Sequence, residues 1–155
     1  MKKLLFVFAL IGLSAVAGAQ VSSNALGARL YGGDAYSGAE LSYQKGLNDR
    51  NRLELDASFG FSNDFTRVAL VGIYHWDWNI VGGFNWYVGP GATIAYDNFS
   101  DNTYVNVGVG GQIGIEYKFR DLPLLVSLDS RPIWDFLGDV NGLGWGAALG
   151  IRFTW

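Results

Sequence analysis

Arg52-Leu53-Glu54-Leu55-Asp56-Ala57-Ser58-Phe59-Gly60-Phe61 alternates without error. Leu53, Leu55, Ala57, Phe59 and Phe61 fall on one face. Arg52, Glu54, Asp56, Ser58 and Gly60 fall on the other. A period of two is the mark of a β-strand whose faces meet different surroundings. The pattern returns after Tyr104, with Val105, Val107, Val109, Ile113, Ile115, Tyr117 and Phe119 opposite Asn106, Gly108, Gly110, Gln112, Gly114, Glu116 and Lys118. It closes the chain, where Trp145, Ala147, Leu149, Ile151, Phe153 and Trp155 oppose Gly146, Ala148, Gly150, Arg152 and Thr154.

Turn residues separate these runs. They lie near 32–34, 48–51, 62–64, 77–79, 97–102, 120–123 and 138–144. Seven breaks predict eight strands, over 24–32, 37–46, 52–62, 66–76, 83–97, 103–119, 124–134 and 144–155. Short connections make each neighbouring pair an antiparallel hairpin. The strand with Val68, Leu70 and Tyr74 is ambiguous in facing, because Ala69, Val71 and Ile73 are apolar too.

Composition narrows the class. Of 155 residues, 50% are apolar, 15% aromatic and 16% charged, with 22 glycines, one histidine and no cysteine. Charged residues are usually about a quarter of a soluble domain. Without cysteine there is no disulfide scaffold and no thiolate metal site. A formal charge of −3 with no basic block argues against nucleic acid. No apolar run long enough for a membrane helix follows the N-terminus.

The N-terminus reads as an export signal. Lys2 and Lys3 precede an apolar stretch from Leu4 to Val16, and Ala17-Gly18-Ala19 offers the small residues of a cleavage site. Residues 1–19 are therefore expected to be a signal peptide and 20–155 a single mature domain starting at Gln20. Removing 19 residues and two of the 11 basic side chains leaves 136 residues with a formal charge of −5.

Alternation alone fits a secreted β-sandwich, a lipocalin-like barrel or a transmembrane β-barrel, because the last merely turns the apolar face outward. Three features favour the membrane barrel. Aromatics gather near strand ends (Tyr43, Trp76, Trp86, Tyr96, Tyr104, Tyr117, Phe119, Trp145, Trp155), as interfacial girdles require. The other face is glycine-rich rather than lysine- and glutamate-rich, which suits a narrow interior. The chain is also expected to be exported. The predicted fold is all-β: an eight-stranded antiparallel up-and-down transmembrane barrel.

The signal peptide, eight alternating strands and aromatic last residue resemble the small OmpA/OmpX-type outer-membrane β-barrels of Gram-negative bacteria. Gly150-Ile151-Arg152-Phe153-Thr154-Trp155 is similar to their last-strand assembly signal, carried by Gly150, Phe153 and Trp155. That family usually ends in Phe and has a polar residue two before the glycine; here Trp155 and Ala148 stand instead. Residues 85–92 and 128–132 also look like stretches of small outer-membrane barrels. The resemblance implies outer-membrane lipids and the outer-membrane assembly machinery as partners, and a larger outer-membrane complex as a further one. It implies no activity.

Turning the polar face inward places Arg29, Arg52, Lys118, Arg131 and Arg152 in the lumen with Glu40, Glu54, Asp56, Glu116 and Asp129. Five cations then meet five anions, and an ion-pair ladder is expected to close the lumen. A gated ion path or proton relay is the functional alternative. No cofactor, metal or catalytic residue is expected. His75 lies by the predicted fourth turn, where a lipid A deacylase would have His-x-Ser and this chain has Asp77. Gly108 to Gly114 lacks the spacing and helix of a nucleotide loop. Loops near 33–36, 62–65, 97–102 and 137–143 are expected to face outward with Asp34, Asp64, Asp97, Asp101 and Asp139. They read as a cation- or lipopolysaccharide-bridging rim, a partner-binding rim, or plain turn chemistry. A structural or interaction role is the leading expectation, ahead of a narrow pore or apolar-ligand barrel and of a lipid-modifying enzyme.

Overall fold

The computed structural model describes residues 21–34, 36–61, 65–99, 102–137 and 142–155. The predicted signal peptide, Gln20, Asp64, Asp101 and Asp139 lie outside them. The described elements are all strands: β1 (Asn24–Gly33), β2 (Ser37–Gly46), β3 (Asn51–Phe61), β4 (Phe65–Val81), β5 (Phe84–Phe99), β6 (Asn102–Lys118), β7 (Leu124–Ser130), β8 (Ile133–Leu137), β9 (Gly142–Gly144) and β10 (Gly146–Thr154).

Every pairing is antiparallel, and β1 pairs with β10 from Ala25↔Thr154 to Gly33↔Gly146, which closes the sheet. Closure leaves no lateral edge, the condition for a sheet to sit in hydrocarbon. The ten segments make eight staves. β7 and β8 form one, and β9 and β10 form the next. Their register is continuous across the interruption, with Ala147↔Ser130 on one side and Ile133↔Gly144 on the other. The break is local and has two causes. Pro132 has no N–H to give the ladder. Opposite it, the Trp145 N–H donates to the Asp34 Oδ1 at 3.1 Å, and the Asp34 N–H donates to the Trp145 carbonyl at 3.2 Å.

Burial follows parity. In β3, Arg52, Glu54, Asp56, Ser58 and Gly60 are buried, while Leu55, Phe59 and Phe61 are exposed on the outside. The exposed apolar residues Leu30, Leu41, Leu70, Ile94, Leu128 and Leu149 form the middle of the outer surface. Aromatics flank it. Trp76, Trp86, Tyr117, Phe119, Phe153 and Trp155 lie toward the end holding the termini, and Phe61, Tyr96, Trp134 and Trp145 toward the other. Ten residues separate Trp86 from Tyr96 on β5. At about 3.4 Å per residue and about 40° of tilt this spans roughly 26 Å, close to the apolar band of an outer-membrane barrel.

β4 departs from the sequence reading. Asp77-Trp78-Asn79 is strand, not turn, and β4 continues to Val81. Trp78 stacks on its cross-strand partner Trp86 at 4.5 Å. Asn79 Nδ2 donates to the carbonyls of Gly82 at 3.0 Å and Phe84 at 3.1 Å. The reversal falls at Gly82, whose φ of 58° suits glycine. The facing of β4 is Val68, Leu70 and Tyr74 outward, with Ala69, Val71 and Ile73 inward. Tyr104 shares the inward parity of Asn106 and is half-buried, so it is no part of the outer girdle.

Candidate functional site

The lumen carries the chemistry, because an eight-stranded barrel is only wide enough for its own side chains. Two glycines make room for the long ones. A Cβ on Gly150 would lie 2.7 Å from Ser127 Oγ and 2.9 Å from Arg29 Cγ. A Cβ on Gly114 would lie 2.6 Å from the Tyr87 ring, which covers it across β5 and β6.

At mid-height, arginines from three places converge on four carboxylates. Arg29 on β1 is 1% exposed. Its Nη1 donates to Glu40 on β2 and, at 2.9 Å, to Asp56 on β3; its Nη2 donates to Asp129 on β7. Arg131, at the Pro132 break, lies 3.0 Å from Glu40 and 3.1 Å from Glu54, and contacts Asp56 as well. Its Nη2 also donates to Gln112 Oε1 at 3.0 Å. Arg152 on β10 lies 3.0 Å from Glu54 and donates to Ser42 at 3.0 Å and Ser127 at 2.8 Å. Tyr87 donates to Asp129 at 3.0 Å.

A second group lies toward the termini. Arg52 sits 2.7 Å from Glu116 and 3.3 Å from Asp77, with its guanidinium 4.6 Å from the Tyr87 ring centroid. Arg52 Nε donates to His75 Nδ1 at 3.3 Å. His75 is therefore not a turn or interface residue. With the turn displaced to Gly82, it points inward at 0% exposure, and its ring lies 4.7 Å from that of Tyr87.

A third group lies at the far end. Arg67 on β4 is 3.3 Å from Asp97 on β5 and 3.1 Å from Asp135 on β8. Asn106 Nδ2 donates to Asp97. Arg67 lies over the Tyr36 ring, 5.4 Å from its centroid, and Tyr36 meets Tyr31 edge-on at 5.1 Å. Asp97 is thus a lumen residue at 0% exposure, not part of an outer loop. Here the inward residues are short (Ser58, Ala69, Thr93, Ala148), and a cavity of about 240 Å³ remains.

Of the ten residues expected in the lumen, nine meet in the mid-height and terminus-side groups. Lys118 does not: it is half-buried at the terminus-side end of β6 and belongs to none of the ion pairs among the described residues. Sequence reasoning missed Arg67, His75, Asp77, Asp97 and Asp135. The described lumen therefore has five arginines and eight carboxylates, rather than five cations and five anions. Inward parity through 66–76 and 83–97 would have found Arg67, His75 and Asp97, and carrying it one residue past 76 and 134 would have found Asp77 and Asp135. The C-terminal signal residues are placed as follows. Gly150 faces inward, while Phe153 and Trp155 face outward with ring centroids 6.1 Å apart. The backbones of Trp155 and Asn24 exchange two hydrogen bonds of 3.1 Å, joining last strand to first.

Neither a protein-family model nor a curated protein sequence matches the chain. Solved structures match its fold. Neisserial surface protein A aligns over 85% of this chain and 95% of its own, with a TM-score of 0.68 at 15% identity. The N-terminal β-barrel domain of Pseudomonas aeruginosa OprF aligns over 87% and 100%, with a TM-score of 0.60 at 19% identity. Ail, the attachment invasion locus protein of Yersinia pestis, aligns over 86% and 97%, with a TM-score of 0.52 at 14% identity. At these identities the likeness is one of fold, and the fold is that of the small OmpA/OmpX-type outer-membrane barrels.

Proposed function

We propose that this chain is an integral outer-membrane barrel of a Gram-negative bacterium with a structural or interaction role. Residues 1–19 direct export, and Gly150, Phe153 and Trp155 present the last strand to the assembly machinery. The end holding the termini faces the periplasm. The protein supports membrane integrity, or serves as an accessory subunit of a larger outer-membrane complex, and its lumen does not conduct.

One observation carries this reading: Arg29, Arg131 and Arg152 converge on Glu40, Glu54, Asp56 and Asp129 across the full width of the lumen. Charges from five of the eight staves meet there. Ions removed from water cost several kcal/mol each unless they are paired. The network therefore fills the middle of the lumen and ties its staves in register, with each of its carboxylates held by at least one arginine. A lipid-modifying role for His75 has the opposite problem, since the ring is buried in the lumen and the substrate is outside.

The test is extraction from native membranes in mild detergent, with deletion of the gene in parallel. Co-purification of a second outer-membrane protein, or loss of detergent resistance in the deletion strain, is expected. A barrel that purifies alone, from cells whose envelope is indifferent to its loss, contradicts the proposal.

A further inference from the structure

The two ends of the lumen share a charge pattern that a filled lumen does not require. Each has one guanidinium between two carboxylates. Toward the termini, Arg52 lies 2.7 Å from Glu116 and 3.3 Å from Asp77. At the far end, Arg67 lies 3.3 Å from Asp97 and 3.1 Å from Asp135. All six residues are buried. Among the described residues, no further cation is ion-paired with these four carboxylates. Fully ionised, each end would hold one uncompensated negative charge away from water.

One oxygen in each group shows where compensation is missing. Asp77 Oδ1 and Asp97 Oδ1 have no hydrogen-bond partner, and both are enclosed too tightly for a water to reach. A buried ion without a partner is costly, and when two carboxylates share a site one of them keeps its proton. A proton needs no space, and it cancels the surplus charge.

The contacts say which acid holds it. Arg52 Nη1 lies 2.9 Å from Oε1 and 2.7 Å from Oε2 of Glu116. Arg67 Nη2 likewise meets both oxygens of Asp135, at 3.3 and 3.1 Å. Asp77 and Asp97 meet their guanidinium through Oδ2, at 3.3 Å each. Around Asp77 stand Arg52 and Glu54 of β3, His75 of β4, Tyr87 of β5 and Glu116 of β6, with the Arg50 carbonyl accepting the Asp77 N–H at 2.7 Å. His75 Nδ1 accepts from Arg52, so the ring is neutral and brings no charge. Around Asp97 stand Arg67 of β4, Asn106 of β6 and Asp135 of β8, with Tyr36 beneath Arg67. Asp77 follows the girdle residue Trp76, and Asp97 follows Tyr96, so both groups lie at the edges of the lipid band.

We propose that each end of the lumen is a pH-sensitive clasp, in which Asp77 and Asp97 carry one proton each at neutral pH and their ionisation at higher pH sets two negative groups against one guanidinium. Loss of the proton loosens the staves that the clasp joins. The clasps are separate from the mid-height network and can fail without affecting the proposed role. A folded state that holds a proton the unfolded chain has released loses stability as pH rises, by about tenfold in the folding equilibrium per pH unit for each proton.

The test labels the side-chain carboxyl carbons of aspartate and glutamate with carbon-13 in the full chain, purified in detergent, and follows them by NMR from about pH 5 to about pH 8. Near neutral pH, Asp77 and Asp97 are expected to show neutral-acid shifts, and Glu116 and Asp135 ionised ones. Glu116→Gln should ionise Asp77, and Asp135→Asn should ionise Asp97, because each aspartate then faces its arginine alone. The urea midpoint should fall as pH rises, and fall less in Asp77→Asn combined with Asp97→Asn. A heat-dependent gel shift confirms that each variant is folded. If a variant does not fold, the carbon shifts of the unaltered barrel decide. Ionised shifts at either aspartate near neutral pH, neutral-acid shifts on Glu116 or Asp135 instead, or an unchanged pH dependence in the folded double variant overturns the inference.

Discussion

Arg29 and Arg67 are both arginines buried in the same lumen, yet their surroundings differ. Arg29 faces Glu40, Asp56 and Asp129 directly, with Glu54 at 3.6 Å, and Arg131 shares three of those carboxylates. Arg67 has Asp97 and Asp135, and open space beside them. The difference comes from side-chain length. At mid-height the inward positions carry Arg, Glu, Gln and Tyr, which reach the axis and fill it. Toward the far end they carry Ala, Ser and Thr, which do not. A barrel of one width thus has a filled section and an emptier one, decided by what stands at every second residue.

Breaking the filled section should have the largest effect. Arg29→Ala leaves at least three buried carboxylates without their shared partner and is expected to cost about 3–5 kcal/mol. The urea midpoint of unfolding from lipid vesicles, read by tryptophan fluorescence, measures it. Arg67→Ala removes two contacts beside a cavity that water can enter, and should shift the same midpoint by clearly less. Equal shifts would erase the distinction between the two sections.

The outer face gives the next effect. Leu149→Arg puts a charge at the middle of the lipid-facing band and should cost about 2–4 kcal/mol, measured in the same way. Substituting the inward neighbour Ala148 with Ser should cost far less, because that position already lies among polar groups. If the two substitutions rank the other way, the faces have been assigned the wrong way round.

Much of this was readable from the sequence, and the failures share a cause. Strict alternation in 52–61 and 104–119 predicts the strands, their facing and eight staves. The misreadings arose where turn residues do strand work. Asp77 and Asn79 look like a reversal, but Asp77 faces the lumen beside Arg52, and Asn79 caps the true turn through its amide. The fourth strand as read, 66–76, already contains Arg67 and His75, and its ambiguous facing hid them, while counting Asp97 in the 97–102 loop hid its inward parity. Asp135 lies one residue past the assumed strand end at 134, and parity carries to it unchanged through Pro132. Lys118 illustrates the reverse limit. Its parity is inward, but it lies at the end of the stave, where a long side chain has water within reach. Cavity volume and unpaired atoms had no sequence signal at all, since they depend on what the neighbouring staves leave empty.

A smaller effect is expected at Gly114. Gly114→Val would place its side chain against the Tyr87 ring, and such overpacking costs about 1–3 kcal/mol. The vesicle unfolding midpoint should fall accordingly, and an unchanged midpoint would mean that Tyr87 is free to move. Removing Trp155 acts on assembly rather than on the lumen. The folded, heat-shiftable fraction in membranes should drop, while any folded protein keeps its mid-height network.

Conductance across a planar bilayer tests the sealed lumen most directly. The purified barrel is predicted to give no discrete current steps, and Arg29→Ala combined with Arg131→Ala is predicted to introduce them. Stable single-channel steps from the unaltered protein would contradict a lumen closed by its own charges.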